Sequence, residues 1–317
     1  MKSILLVKTS SLGDVVHNLP VVSDIHFTFP DARIDWVAEE GFAAIPRLHP
    51  AVRRVLPVAI RRWRSALWRR GTRDEIFHFF HQLREHIYDV VIDTQGLLKS
   101  ALITRAAHGT RYGLDWNSAR EPLALFYDRT FRVPWTLHAV QRNRALGAHA
   151  LGYEPPDGVD YGVRAAAIDC PWLVGQRYVV LLHATSAERK LWPEARWLEL
   201  GTYFLRCGMR CVLPWGNAAE RERSERLAER MPEAIVPPFL RLEEAAALLA
   251  GAQAVIGVDT GLTHLAAALG VATIGVYCAT DPAKTGIYGC ARGASLGGAG
   301  NPPQAAEVIA VLEQVTA

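Results

Sequence analysis

The segment SILLVKTSSLGDVVHNLPVVSDIHFTF, residues 3–29, decides how the chain begins to fold. SILLVK is a short apolar run that ends in the Ser/Gly loop TSSLGD, and the apolar residues of VVHNLPVVSDIHFTF then recur at helical spacing. An apolar run too short for a helix, a glycine-bearing turn and a helical period predict strand, turn and helix in that order. The pattern repeats. RIDWVAEE (33–40), VRRVLPV (52–58) and YDVVIDTQ (88–95) read as buried strands, separated by helical stretches such as DEIFHFFHQLREH (74–86) and LLKSALITRAAH (97–108). Alternation of this kind implies a mostly parallel, doubly wound α/β sheet.

Helical sequence continues through about Leu151, after which GYEPPDGVDYGV (152–163) gathers Gly, Pro and Asp without periodicity and reads as a linker. Strands are expected again at RYVVLLHAT (177–185), MRCVLPWG (209–216), AVIGVD (254–259) and VATIGVYC (271–278), with helices from Pro193, Asn217 and Gly261. Two Rossmann-like domains follow, 1–155 and 156–317, the last helix free to pack back on the first of them. They are expected to face a central cleft, because open α/β sheets bind ligands outside the carboxyl ends of their strands.

Composition narrows the function. In 317 residues, half of them hydrophobic, charged side chains interrupt every apolar stretch. None reaches the roughly 18 to 20 residues a membrane span requires, so no transmembrane segment is expected. MKSILLVKTS has no signal-peptide h-region, which predicts a cytoplasmic chain. The five cysteines, Cys170, Cys207, Cys211, Cys278 and Cys290, are odd in number and scattered; they read as reduced thiols, and no metal site is expected.

The net charge of +3 is unevenly spread: residues 1–164 carry 22 Lys/Arg against 17 Asp/Glu, the remainder 13 against 15. Between Gly41 and Arg73 stand nine arginines and no acid, so an anionic partner is expected there. Nucleic acid is not that partner, since zinc-finger spacing, RNP motifs and helix-turn-helix signatures are missing.

Four strand-to-helix loops carry candidate chemistry. KTSSLGD is neither the GxGxxG fingerprint nor a Walker A loop, which argues against a dehydrogenase and an ATPase. Asp14 in it is either a general base that takes a proton from an acceptor hydroxyl or an acid in the first turn of a helix, where carboxylates are favoured. In HATSAERKLWPEARW, Thr185, Ser186 and Lys190 suit a diphosphate, or else form a surface cap with a solvated lysine. In AVIGVDTGLTHLAAALG, Asp259, Thr260 and Gly261 bring a carboxylate, a hydroxyl and backbone N–H groups to a helix start; His264 is either a site residue or a satisfied structural one. Glu220 follows another turn, within reach of a ribose or base. Arg61, Arg62 and Arg64, around Trp63, are placed to pair with carboxylates or phosphates, unless they are simply a solvated face.

Taken together, LLVKTSSLGDVVHNLP, DWVAEEGFAAIP, VAIRRWR, VIDTQGLLKSAL, LDWNSAREPLALFY, LHATSAERKLWPEARW, LPWGNAAERERSERLAE and VIGVDTGLTHLAAALG resemble, in this order and over nearly the whole chain, the ADP-heptose:LPS heptosyltransferase family, whose fold is GT-B. The resemblance implies an inverting glycosyltransferase that moves heptose from ADP-heptose to the inner Kdo of Kdo2-lipid A at the membrane surface, without cofactor or essential metal. It implies Asp14 as the base. Thr185, Ser186, Lys190, Glu220, Leu240, Asp259, Thr260, Gly261 and His264 would then contact the donor, and Lys8, Arg61, Arg62, Arg64 and Arg120 the acceptor. Two departures stand out: Cys278, Ala279, Thr280, Asp281 and Pro282 replace a Gly-Pro-Thr-Asp-Pro turn, and Leu240 replaces a Met beside the adenine. The alternatives are a transferase adding a later core sugar and, from another class, a non-catalytic nucleotide-binding module.

Overall fold

Strands β1 (Ser3–Val7), β2 (Arg33–Glu39), β3 (Val52–Val58), β4 (Ile87–Asp93), β5 (His108–Leu114) and β6 (Arg129–Phe131) form one parallel sheet in the order β3-β2-β1-β4-β5-β6. They belong to the first of two units, Met1–Val163 and Arg164–Ala317, into which the computed structural model divides. Residues 1–166, 170–173 and 175–316 are described.

Central position explains the composition of β1. Ile4, Leu5, Leu6 and Val7 are wholly buried, as a strand covered by helices on both faces requires. Strand order runs outward from β1 to β3, then resumes on the other side at β4, so the direction of winding reverses between β1 and β4. A crevice opens at such a switch point, beyond the carboxyl ends of the two strands. Three side chains fix the exits of the strands there. Trp36 Nε1 on β2 donates to the Lys8 carbonyl at 3.0 Å. Buried Asp93, the last residue of β4, accepts from the Gln95 and Gly96 N–H groups at 2.9 and 3.1 Å and from the Tyr127 hydroxyl at 2.9 Å. Gly113 on β5 is required by that phenol, because a Cβ there would overlap the Tyr127 ring.

The segment 152–163, read as a linker, is packed on the first unit. Arg144 pairs with buried Asp24 at 2.7 and 2.9 Å, and its guanidinium also donates to the Gly158 and Pro156 carbonyls at 2.7 and 2.8 Å. Tyr161 is buried. The unit therefore ends at Val163, beyond the boundary expected at 155. Composition shows the missing periodicity of such a segment but not the arginine that ties it down.

In the second unit β7 (Tyr178–Leu182), β8 (Arg210–Val212), β9 (Ala254–Val258), β10 (Thr273–Tyr277) and β11 (Gly293–Gly297) are parallel in the order β11-β10-β9-β7-β8. Winding reverses between β7 and β9. Trp197, Leu200 and Phe204 of helix Glu194–Arg206 pack on one face of this sheet. The last helix, Ala305–Thr316, sends Val308 and Leu312 into the same core and so helps complete the second sheet. Three strands, β5, β6 and β11, have no counterpart in the sequence reading. HGTRYGL, RTF and GASLG are edgeward, short or glycine-bearing, and lack the apolar runs that mark the central strands.

Candidate active site

The carboxyl end of β1 leads through TSSLGD into the one-turn helix Leu12–Val16. Asp14 lies in that turn, half-buried. The Ser11 N–H and hydroxyl donate to Asp14 Oδ2 at 2.7 and 2.9 Å. Among the described residues Oδ1 accepts nothing, so one oxygen is fixed and the other remains open. The two readings of Asp14, base and first-turn acid, are therefore compatible: one oxygen serves the turn.

Cations gather around this carboxylate. Lys8 is buried, and Nζ donates to the Thr94 carbonyl at 2.8 Å and to Asn143 Oδ1 at 3.4 Å. Burial pushes its pKa below the ordinary lysine value while Asp14 and Asp93 pull it up, and Arg120 and Arg142 push it further down. Its ammonium is thus turned inward, under the loop. Lys99, in helix Leu98–Ala106 at the exit of β4, donates to Ser10 Oγ at 2.5 Å. Its pKa is also lowered, first by burial; Glu39 and Asp14 favour its charge, and Arg61 and Arg64 oppose it. Gln95 accepts from the Thr9 and Ser10 N–H groups at 3.0 Å each, tying the β1 and β4 exits together.

The arginines occupy the short helix Ile60–Arg64 after β3. Buried Trp63 anchors it, edge-on to Phe79 at 5.8 Å and donating to Glu75 at 2.9 Å, and this turns its neighbours outward. Glu39 caps the helix by accepting from the Arg61 N–H at 2.9 Å. The three arginines then differ. Arg62 is bonded to Glu40 at 3.0 Å and Glu75 at 2.8 Å, which raises its pKa and commits it to protein carboxylates. Arg61 lies over the Phe42 ring at 5.2 Å, and among the described residues neither it nor Arg64 is in an ion pair. Arg120 is exposed in the loop after β5 and is felt by both Lys8 and Arg142. Arg142 donates to the Ser118 carbonyl at 2.7 Å and stacks over Trp135 at 3.7 Å.

A second cluster forms at the β7/β9 reversal. Asp259, directly after β9, is 8 % exposed. Lys190 Nζ reaches its Oδ2 at 2.7 Å, the Thr280 hydroxyl donates to the same oxygen at 2.7 Å, and His264 Nε2 stands 3.6 Å from Oδ1. Thr185 donates to the Asp259 carbonyl at 3.2 Å. Burial alone would push this carboxyl up, but the bonds from His264, Lys190 and Thr280 outweigh it and hold it well below the usual carboxylate range. Thr260 begins helix Gly261–Ala268, whose first N–H groups lack intrahelical acceptors. This cluster can therefore present a fixed ammonium and a helix N-terminus to an anion.

Among the described residues no hydrogen bond joins Ser186, Glu220 or Leu240 to this network. Ser186 is exposed; Glu220 Oε2 accepts from the Gly216 N–H at 2.8 Å and closes its own turn. Leu240 follows exposed Phe239, whose ring lies 5.6 Å from that of Trp215. At the altered turn, Thr280 holds Asp259, and Asp281 caps the next turn by accepting from the Ala283 N–H at 3.0 Å. The substituted positions, Cys278 and Ala279, are not the ones whose side chains make these bonds.

Lys99, Gln95, Glu39 and Thr280 were not singled out from the sequence. Lys99 and Gln95 lie in the quoted VIDTQGLLKSAL segment, but alternating pattern does not reveal that β4 lies beside β1. Among the described residues, no group of three His, Cys, Asp or Glu side chains is arranged to hold a metal ion. No described helix is long and apolar enough to cross a membrane.

The profile of glycosyltransferase family 9 (heptosyltransferase) matches residues 76–308. Over 290 residues, 90% of this chain and 81% of the relative, the sequence is 52% identical to lipopolysaccharide heptosyltransferase 1 of Pseudomonas aeruginosa. Among solved structures, Escherichia coli heptosyltransferase WaaC with ADP matches with a TM-score of 0.91 at 44% identity, covering 99% of each chain. WaaC with ADP-2-deoxy-2-fluoro heptose matches with a TM-score of 0.87 at 43% identity, over 98% of this chain and 99% of that one.

Proposed function

This chain belongs to glycosyltransferase family 9, the heptosyltransferases, built as the GT-B pair of Rossmann-like sheets, and we propose that it adds the first heptose of the lipopolysaccharide inner core, from ADP-heptose to the inner Kdo of Kdo2-lipid A. The observation that carries the mechanism is Asp14: a carboxylate with Oδ2 held by Ser11, Oδ1 open, and Lys8 and Lys99 close enough to feel its charge.

In this reading the acceptor's carboxylate and phosphates are gathered by Arg61, Arg64, Arg120 and Lys99, and its hydroxyl meets Asp14 Oδ1. Asp14 takes the hydroxyl proton as the oxygen attacks the anomeric carbon of the heptose. The new C–O bond forms as the bond to the diphosphate breaks, with inversion and with ADP as leaving group. Lys190 and the N–H groups at Thr260 and Gly261 offset the charge that grows on the diphosphate. Because Asp259 already fixes the ammonium, little reorganisation accompanies that step. These groups supply the positive charge a metal would otherwise provide, so no essential metal is needed. Asp259 and His264 act by positioning Lys190, a narrower part than contact with the donor sugar. Lys8, turned inward, acts through the potential at Asp14. Since the acceptor is a lipid, the reaction takes place at the cytoplasmic face of the membrane.

Mass spectrometry of Kdo2-lipid A incubated with the protein and ADP-heptose tests the assignment. A gain of one heptose residue is expected. No gain on Kdo2-lipid A, with a gain on an acceptor that already carries heptose, would assign the chain to a later step.

A further inference from the structure

The connection from helix Ile60–Arg64 to helix Arg70–Arg84 places large apolar side chains in water: Leu67 is 52% exposed and Trp68 71%. On the second helix Phe77 is 72% exposed. Arg70, Arg73 and Phe77 recur at the spacing of one helix face, and Arg69 precedes them at the helix start. All three arginines are exposed, and among the described residues none is in an ion pair. Glu75 is turned to Arg62 and Trp63, which leaves exposed Asp74 as the acid on this stretch.

A turn exposed to water ordinarily carries small polar residues. Here it carries Leu-Trp-Arg-Arg, and a guanidinium-rimmed apolar surface is what the boundary between anionic headgroups and acyl chains accepts. Tryptophan favours that depth, and arginine is drawn by the negative surface potential. The choice of a bilayer rests on this charge complementarity and on continuity with the site: Trp68 lies four residues beyond Arg64 in the same connection. We propose that Leu67, Trp68 and Phe77, flanked by Arg69, Arg70 and Arg73, form the surface by which this chain docks onto an anionic phospholipid bilayer. The inference rests on the reading of a lipid-borne acceptor, because docking here would hold helix Ile60–Arg64 at the headgroups from which that acceptor projects.

Vesicle flotation with the full chain tests it, using phosphatidylcholine alone and phosphatidylcholine with phosphatidylglycerol. The parent is expected to float with the anionic vesicles and to be released by high salt. Leu67→Ser/Trp68→Ser should weaken partitioning about tenfold, from lost apolar burial. Arg69→Gln/Arg70→Gln/Arg73→Gln should weaken it about a hundredfold, from lost attraction to the surface. Both variants should release ADP at the parental rate with the acceptor dispersed in detergent, which shows that they fold. Flotation of both variants like the parent, or of the parent equally on neutral vesicles, would overturn the proposal. So would a parental dimer that Trp68→Ser dissociates without any vesicle binding, since the patch would then cover a second copy. The detergent assay reads glycosyl transfer independently: a parent inactive there contradicts the reaction and not the docking.

Discussion

The two switch points of this chain are the same place in two sheets, and they differ in how their charges are matched. At the β1/β4 reversal Asp14 lies among Lys8, Lys99 and arginines that, among the described residues, are in no ion pair. At the β7/β9 reversal the cation is already matched: Lys190 is bonded to Asp259 at 2.7 Å, and Thr280 and His264 brace the same carboxylate. A matched cation is fixed in direction and costs little to keep in place, which suits a leaving group whose charge appears late. Unmatched cations leave a standing field, which suits an acceptor that arrives charged. Topology chose both locations; the partner of each charge chose its task.

The largest expected effect breaks the comparison on one side only. Asp14→Asn should lower kcat about a thousandfold, through loss of the base. ADP affinity, measured by titration calorimetry, should stay within about twofold, because the residues assigned to ADP belong to the other unit. Equal losses in both would abolish the division of labour. Lys190→Ala should lower kcat about a hundredfold and weaken ADP about tenfold, the cost of one charge-assisted contact. Acceptor KM, by initial rates, should hardly change. A rise in acceptor KM without loss of ADP binding would assign the lysine to the wrong substrate.

How much of this was visible in the sequence differs between the two regions in the same way. The central strands β1, β7 and β9 are continuous apolar runs, so burial on both faces announces them. Strand β11, GASLG, is half-buried with small side chains and announces nothing. Asp259 stands directly after an apolar run, and Asp14 and Lys190 in the segments that follow such runs, where spacing alone points. Lys99, in helix Leu98–Ala106, and Thr280, in the turn after β10, adjoin those sites only once strand order is known. The engagement of Arg62 by Glu40 and Glu75, from the turn after β2 and the next helix, is likewise a tertiary fact. So is the inward turn of Lys8.

One feature should be alike in the two units. Buried His183 bonds Ser224 at 2.8 Å, and burial, with Arg223 second, pushes its imidazole down to about 3. In the first unit His49 bonds Ser23 at 2.9 Å and is pushed down to about 4, again chiefly by burial. Unfolded, each takes up a proton near pH 6.5, so below that pH the unfolded chain binds more protons. Stability is therefore lost as pH falls from 6.5, by about 2 kcal/mol for each histidine at pH 5. Hydrogen exchange followed peptide by peptide at pH 7.5 and 5, corrected for intrinsic rates, should show both units weakening. His49→Gln and His183→Gln should each relieve the effect in its own unit alone. Relief that spreads to the other unit would mean that the two unfold together.

The smallest effect is the sharpest test of what pairing does, because it compares neighbours on one helix. Arg62 and Arg64 are both exposed and both lie within the acid-free stretch. Arg62 is engaged by Glu40 and Glu75, so an incoming anion would have to compete with two carboxylates for it. Arg64 is in no ion pair among the described residues, and its charge reaches Lys99. Arg64→Ala should therefore raise acceptor KM about fivefold, the upper range for one exposed ionic contact, while Arg62→Ala leaves KM nearly unchanged. The Arg64 effect should fade as salt approaches about 0.5 M, where exposed charges are screened. If the two substitutions raised KM equally, the arginines would act as a diffuse positive face, and the distinction between matched and unmatched cations would fail where it is easiest to see.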